Sequence, residues 1–187
     1  MKRVDYTFLN LEDMMKLPRE LYPFIVFSNN IHSWLSYAIR DNRKGVYSHV
    51  MLLHRPGFFA TQRNLFEECP LTDYVTPHHF LKVVACPTWT ELDRQLIIDS
   101  IKRKLALPEK DRKYDYWGIL GQLLNHEWVN SNKKYYCSED VAHHVGTVVP
   151  GLLEMKHPSP TDVNRFCKSD DRFKVVGAVS DDLYSIQ

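Results

Sequence analysis

The sequence predicts an α+β protein built on a largely antiparallel β-sheet. Three observations predict it. Short apolar and aromatic runs with strand character cluster between residues 22 and 86 and recur near residue 175. Stretches with a helical apolar stripe flank them and do not alternate with them one by one, which separates this pattern from a parallel α/β sheet. The 187 residues are 44% hydrophobic, enough to bury one core and form a single domain over residues 1–187, with 1–21 as an N-terminal extension.

The elements follow in order. Asn10 caps a short helix to Leu17, with Glu12 and Asp13 in its first turn and Pro18 after its end. Tyr22 to Phe27 reads as a buried strand. Ser33 caps a helix whose stripe is Trp34, Leu35, Ala38 and Ile39. Tyr47 to His54 and Phe58 to Asn64 form two strands joined at Arg55-Pro56-Gly57, and Phe80 to Cys86 forms another. A long helix runs from Thr88 to about Leu107. Thr88 and Glu91 make its capping box, and Leu92, Leu96, Ile97, Ile101 and Leu105 its buried stripe. Asp115 caps a helix through Tyr116, Trp117 and Leu120, and Asn125 to Lys134 is irregular. Another helix runs from Cys137 to about Val148, stopped by Pro150 and Gly151. Ser159-Pro160-Thr161-Asp162 opens a short helix with Pro at its first position, and Phe173 to Val179 is the last strand.

Composition excludes several classes. The formal charge is +1 with both signs interspersed, unlike the basic stripe of a nucleic-acid binder. Cysteines 69, 86, 137 and 167 contain no Cys-x-x-Cys pair, which argues against a zinc knuckle or redox dithiol and for free thiols in a reducing compartment. The first residues carry no apolar signal-peptide core, and no run approaches a transmembrane length. A cytoplasmic protein without a transmembrane segment is the expectation.

The stretch Tyr135-Tyr136-Cys137-Ser138-Glu139-Asp140-Val141-Ala142 carries the candidate chemistry. It is an extended run turning into a helix with a cysteine at the junction. A helix N-terminus favours thiolate, the nucleophilic form. Glu139 and Asp140 suit that terminus but oppose thiolate formation if they point at the sulfur. A cysteine nucleophile needs an imidazole and a third polar group to orient it. His49 in Tyr47-Ser48-His49-Val50 supplies the ring. If the hairpin turns at Pro56-Gly57, His49 faces Asn64 and Gln62 lies diagonally on the same face. A slip or bulge of one residue presents Thr61 or Arg63 instead. Against this stand simpler roles. Free cysteine is commonly a small buried hydrophobe, and a histidine in an apolar strand is commonly structural. The pairs His78-His79 and His143-His144 raise metal binding, but adjacent residues point apart and form no chelate alone.

The order of these motifs resembles the YiiX-like permuted papain-fold proteins of the NlpC-type cysteine peptidase and amidase superfamily. Phe24-Ile25-Val26-Phe27, Ser33 to Ile39 and Tyr47-Ser48-His49-Val50 look like its opening. Pro70-Leu71, the strand entering the long helix, Tyr114-Asp115, Tyr135 to Glu139 and Ser159 to Asp162 follow in family order, covering about residues 22 to 178. The resemblance implies a circularly permuted papain-like fold, with an antiparallel sheet packed against a helical subdomain carrying the nucleophile helix. It places the nucleophile on Cys137 and the base on His49. Relatives often have Glu, His or Asn as the third residue, on the strand after the histidine. This chain reads Phe59-Ala60 where relatives often have Glu-Ala, so the usual carboxylate is absent and Gln62 stands in for it.

The expected activity is that of a cysteine-dependent hydrolase or acyltransferase. Its partner is an amide- or ester-containing substrate of peptide, muropeptide or lipid type, with no nucleic acid, cofactor or metal. The competing reading is a non-catalytic binding protein that keeps the fold.

Overall fold

A computed structural model describes residues 9–30, 46–76, 79–113 and 136–179. The sequence-predicted helices at Ser33–Arg40 and Tyr114–Leu120, the irregular stretch Asn125–Lys134, and His78 and Tyr135 lie outside these. The described chain is α+β. Its strands are β1 (Phe24–Asn30), β2 (His49–Arg55), β3 (Phe58–Gln62), β4 (Phe66–Pro70), β5 (His79–Ala85) and β6 (Lys174–Val179). They form one sheet in the order β4-β3-β2-β1-β5-β6, every neighbouring pair antiparallel. The helices are α1 (Leu11–Met15), α2 (Glu91–Leu105), α3 (Cys137–Gly146), α4 (Pro150–Leu153) and α5 (Pro160–Ser169). No described helix is long and apolar enough to cross a membrane.

Period-two alternation divides the sheet into two buried faces. Ile25, Phe27, Val50, Leu52 and Ala60 face a helical layer formed by Ile97 and Ile101 of α2, Val141 and Val145 of α3, Leu152 of α4 and Val163 of α5. Val26, Met51, Leu53, Phe59, Leu81 and Val83 face the other way. They are covered by Met14, Leu17, Leu71 and Tyr74, so residues of the N-terminal extension form part of this second core. Both faces are buried, and the middle of the two strands, Phe24 to Phe27 of β1 and Val50 to Leu53 of β2, is therefore apolar.

Capping chemistry sets the helix starts. Asn10 with Asp13 and Ser159 with Asp162 form capping boxes at α1 and α5 as the sequence predicts. At α2 the box is Thr90 with Asp93, not Thr88 with Glu91. Thr88 belongs to the preceding turn, in which the Trp89 amide donates to the Cys86 carbonyl at 3.1 Å. The buried stripe of α2 also shifts. Arg94, Ile97, Ser100 and Ile101 are buried, whereas Leu92 is 69% and Leu96 42% exposed. At 100° per residue Leu92 and Leu96 lie on the side away from Ile97 and Ile101. Arg94 fills the inner position by donating to the carbonyls of Cys86 and Tyr22. Pro150 and Gly151 begin the short α4 where the sequence predicts only a stop. A Cβ on Gly146 would lie 2.9 Å from that of Leu153, so glycine permits the close return.

The β2–β3 hairpin has the feature that matters most for the site. Gly57 has φ +80° after Pro56, which is the chemistry of a type II turn. That turn does not match the twist of a tight hairpin. The register shifts between Leu53 and Arg55, so that Arg55 pairs with Phe58 and Leu53 with Phe59. His54 is the bulged residue, its buried ring bonded to Glu68 at 2.8 Å.

Ile97→Ala removes a side chain with no exposure between sheet and helices. It should cost about 2–5 kcal/mol, whereas exposed Leu92→Ala should stay within about 0.5 kcal/mol. Urea unfolding of the two variants checks this assignment of the α2 faces.

Candidate active site

The first turn of α3 presses on the start of β2. Val141, Ala142 and Val145 enter the core shared with Val50 and Leu52, which brings Cys137, the first residue of α3, to the sheet. Its side chain is buried, at 4% exposure. The Val50 backbone amide faces the sulfur, and Val50 is the residue after His49.

The ring of His49 projects from the opposite face of β2, with Met51 and Leu53. The bulge at His54 moves the facing strand by one residue, so Thr61 takes the place predicted for Gln62. Thr61 Oγ1 lies 2.7 Å from His49 Nε2. Tyr74 Oη lies 3.4 Å from the same nitrogen, and its ring is stacked at an interplanar angle of 3° on the imidazole. Gln62 lies on the helical face. Its Nε2 donates to the Arg112 carbonyl at 3.0 Å, and its buried Oε1 has no partner. Gln62 therefore does not orient His49 in this structure; Thr61 does.

The contacts to Thr61 and Tyr74 both fall on Nε2. The Thr61 hydroxyl also bonds to Tyr74 and opposes the rise that burial imposes on the phenol. In the tautomer whose Nε2–H donates to Thr61, Nδ1 is the basic nitrogen, and it has no hydrogen-bond partner among the described residues. His79 completes the polar cluster. Its Nδ1 bonds to Thr76 Oγ1 at 2.8 Å and its Nε2 to Asn30 at 3.3 Å.

Electrostatics depart from the sequence expectation of a thiolate. Burial, first, pushes the Cys137 thiol up to about 11, and the charge of Asp140 adds to this; the Val50 amide and Ser138 pull the other way. Desolvation outweighs the helix terminus. Glu139 is bonded to His157 at 2.7 Å. Burial also lowers His49 to about 4, with help from His79 and Arg63. The resting pair is neutral thiol and neutral imidazole, and no hydrogen bond joins sulfur to ring. Tyr74 links them: it stacks on His49 and lies within electrostatic reach of Cys137.

The other thiols are free and buried. Burial raises Cys69 and Cys167 to about 12. No group of three or more His, Cys, Asp or Glu side chains able to hold a metal occurs among the described residues. Sequence reasoning missed Tyr74, which stands in a loop-like stretch without periodicity. Thr61 was visible only as the outcome of a register slip.

His49 should titrate near pH 4 in side-chain NMR. Between pH 6.5 and 4 the unfolded chain binds the proton and the folded chain does not, so acidification removes stability. Thermal unfolding should show His49→Asn losing less stability than wild type over that interval.

No family model matches the chain, and no curated protein matches it. Among solved structures, the fold is similar to that of the metalloprotein YiiX from Escherichia coli O157:H7. The TM-score is 0.52 at 16% identity, over 80% of this chain and 82% of that one. The chain has a YiiX-like fold.

Proposed function

We propose that this chain is a cysteine-dependent hydrolase or acyltransferase of permuted papain-like architecture, cleaving an amide or ester through an acyl-thioester. One observation carries the reading. A cysteine at the first position of a helix meets the sheet at the Val50 amide, next to a histidine at the start of β2 whose Nε2 contacts Thr61; in the tautomer whose Nε2–H donates to Thr61, Nδ1 is the base. The Tyr74 ring lies parallel to that imidazole, with centroids 5.9 Å apart.

The neutral resting pair dictates the order of events. The His49 ring lies across β2 from the sulfur and must turn at the strand end to meet it, so proton transfer from Cys137 to His49 accompanies substrate arrival and attack of sulfur on the carbonyl carbon, a free ion pair being disfavoured beforehand. The Cys137 backbone N–H, unpaired within its helix, is the natural donor to the developing oxyanion. His49 then returns the proton to the leaving nitrogen or oxygen, and water or another acceptor opens the thioester. Thr61 orients the ring without offering a charge. Peptide, muropeptide and lipid substrates all present the required carbonyl, and a cytoplasmic target remains the expectation. The metal named for YiiX belongs to that protein; the described residues here gather no donor set for one, and no step runs through it.

A binding protein that keeps the fold is the second reading, favoured by the missing carboxylate and the neutral dyad. A p-nitrophenyl acyl ester separates the two. The enzyme reading expects an acyl adduct on Cys137 in intact-protein mass spectrometry, faster than at Cys69, Cys86 or Cys167. His49→Ala should slow its formation by about 10²- to 10⁴-fold. Thr61→Val should slow it by about tenfold, as expected when a supporting partner is lost. Equal acylation of all four thiols, or none, leaves the binding reading.

A further inference from the structure

A second site lies away from the thiol, between α2 and α3. It is a cavity of about 400 Å³ lined by Ser100, Arg103 and Lys104 of α2, His143 and His144 of α3, and Asp111 and Lys113 of the following loop. His144 forms its floor. The residue is 1% exposed, and its Nδ1 is fixed by Ser100 Oγ at 2.8 Å. Phe66 packs against the ring, with centroids 5.2 Å apart. The other nitrogen, Nε2, is buried without a hydrogen-bond partner. An unmade bond at such a depth is costly, and this one belongs to a residue that lines an open cavity.

The charges around that nitrogen indicate what would complete it. Lys104 is held by buried Asp140. Arg103 and Lys113 make no ion pair among the described residues, and Asp111 is the one carboxylate among the lining residues. The cations act on the histidines: after burial, the charges of Lys104 and Arg103 hold His144 well below its ordinary value and lower His143 as well. His144 is therefore neutral. In the tautomer in which Ser100 donates to Nδ1, Nε2 carries the proton and is a donor. A guanidinium, an ammonium and an imidazole N–H around one space complement an oxyanion with several acceptors.

We propose that this cavity binds the phosphoryl group of free phosphate or a small phosphate monoester, with Arg103 and Lys113 as charged arms and His144 Nε2–H as the buried donor. The cavity is larger than a bare phosphate requires, which leaves room for an organic substituent. The site is separate from Cys137, so its test does not depend on the catalytic reading.

The full chain is titrated calorimetrically at low ionic strength with inorganic phosphate and with phenyl phosphate, while the ¹⁵N shift of His144 Nε2 is followed. Saturable one-to-one binding with a shift of that nitrogen is expected. The double variant Arg103→Ala/Lys113→Ala should lose about tenfold or more in affinity, the scale of charge-assisted contacts. Both positions are exposed, so its melting temperature should stay near that of the wild type. Equal affinity for the two probes identifies free phosphate as the ligand, and tighter phenyl phosphate identifies a monoester. Absence of saturation by about 10 mM, or binding unchanged in the double variant, overturns the proposal.

Discussion

Burial of Val141, Ala142 and Val145 against Val50 and Leu52 is the contact on which the site depends. It fixes the axis of α3 relative to β2 and so decides where Cys137 meets the sheet. The same burial has an electrostatic consequence. A thiol carried into a dry contact loses its hydration, and the partial charge of a helix terminus does not replace it. A helix mouth activates a cysteine only when the sulfur keeps some polar surroundings. Here the Val50 amide and Ser138 supply part of that environment, and burial outweighs them.

Most of the framework is legible from residue order alone. β1, β2, β3, β5 and β6 announce themselves as apolar runs, and Asn10 and Ser159 as caps, because these are local signals. β4 is not legible. Phe66-Glu67-Glu68-Cys69-Pro70 has two acids and a closing proline and reads as loop. It is the last strand in the sheet order, where charge and proline are tolerated; beyond it Arg112 bonds to both backbone groups of Phe66. The exposure of Leu92 and Leu96 was likewise beyond reach of the apolar count, since Arg94 competes for the inner position by capping two buried carbonyls.

The site shows how small the gap between reading and structure can be. A hairpin without a bulge sets Gln62 beside His49, and one with a bulge sets Thr61 there. Turn chemistry gives the direction of the error: Pro56-Gly57 makes a turn whose twist disagrees with the strands, and β2 absorbs the mismatch at His54. The bulge is itself held, because His54 is buried and bonded to Glu68. The partner of the imidazole is therefore set several residues away, by a turn and a His54–Glu68 hydrogen bond that do not touch it. Tyr74 had no comparable signal, since its role exists only once the segment following β4 folds back over the second face of the sheet.

The Asp140–Lys104 pair connects the two regions of interest. Asp140 is almost fully buried, and burial raises its carboxyl to about 6 despite Lys104. Near neutral pH the carboxylate depends on that ammonium, and its negative charge opposes a thiolate at Cys137. Lys104 thus offsets part of the electrostatic resistance to nucleophile formation while forming one wall of the cavity beside His144. Replacing the pair with apolar residues would relieve a desolvation cost, yet it would also remove the one cation that α2 holds against α3 by an ion pair with a buried carboxylate. Its role follows from position: it is the polar seam along which the helix carrying Cys137 is registered against α2.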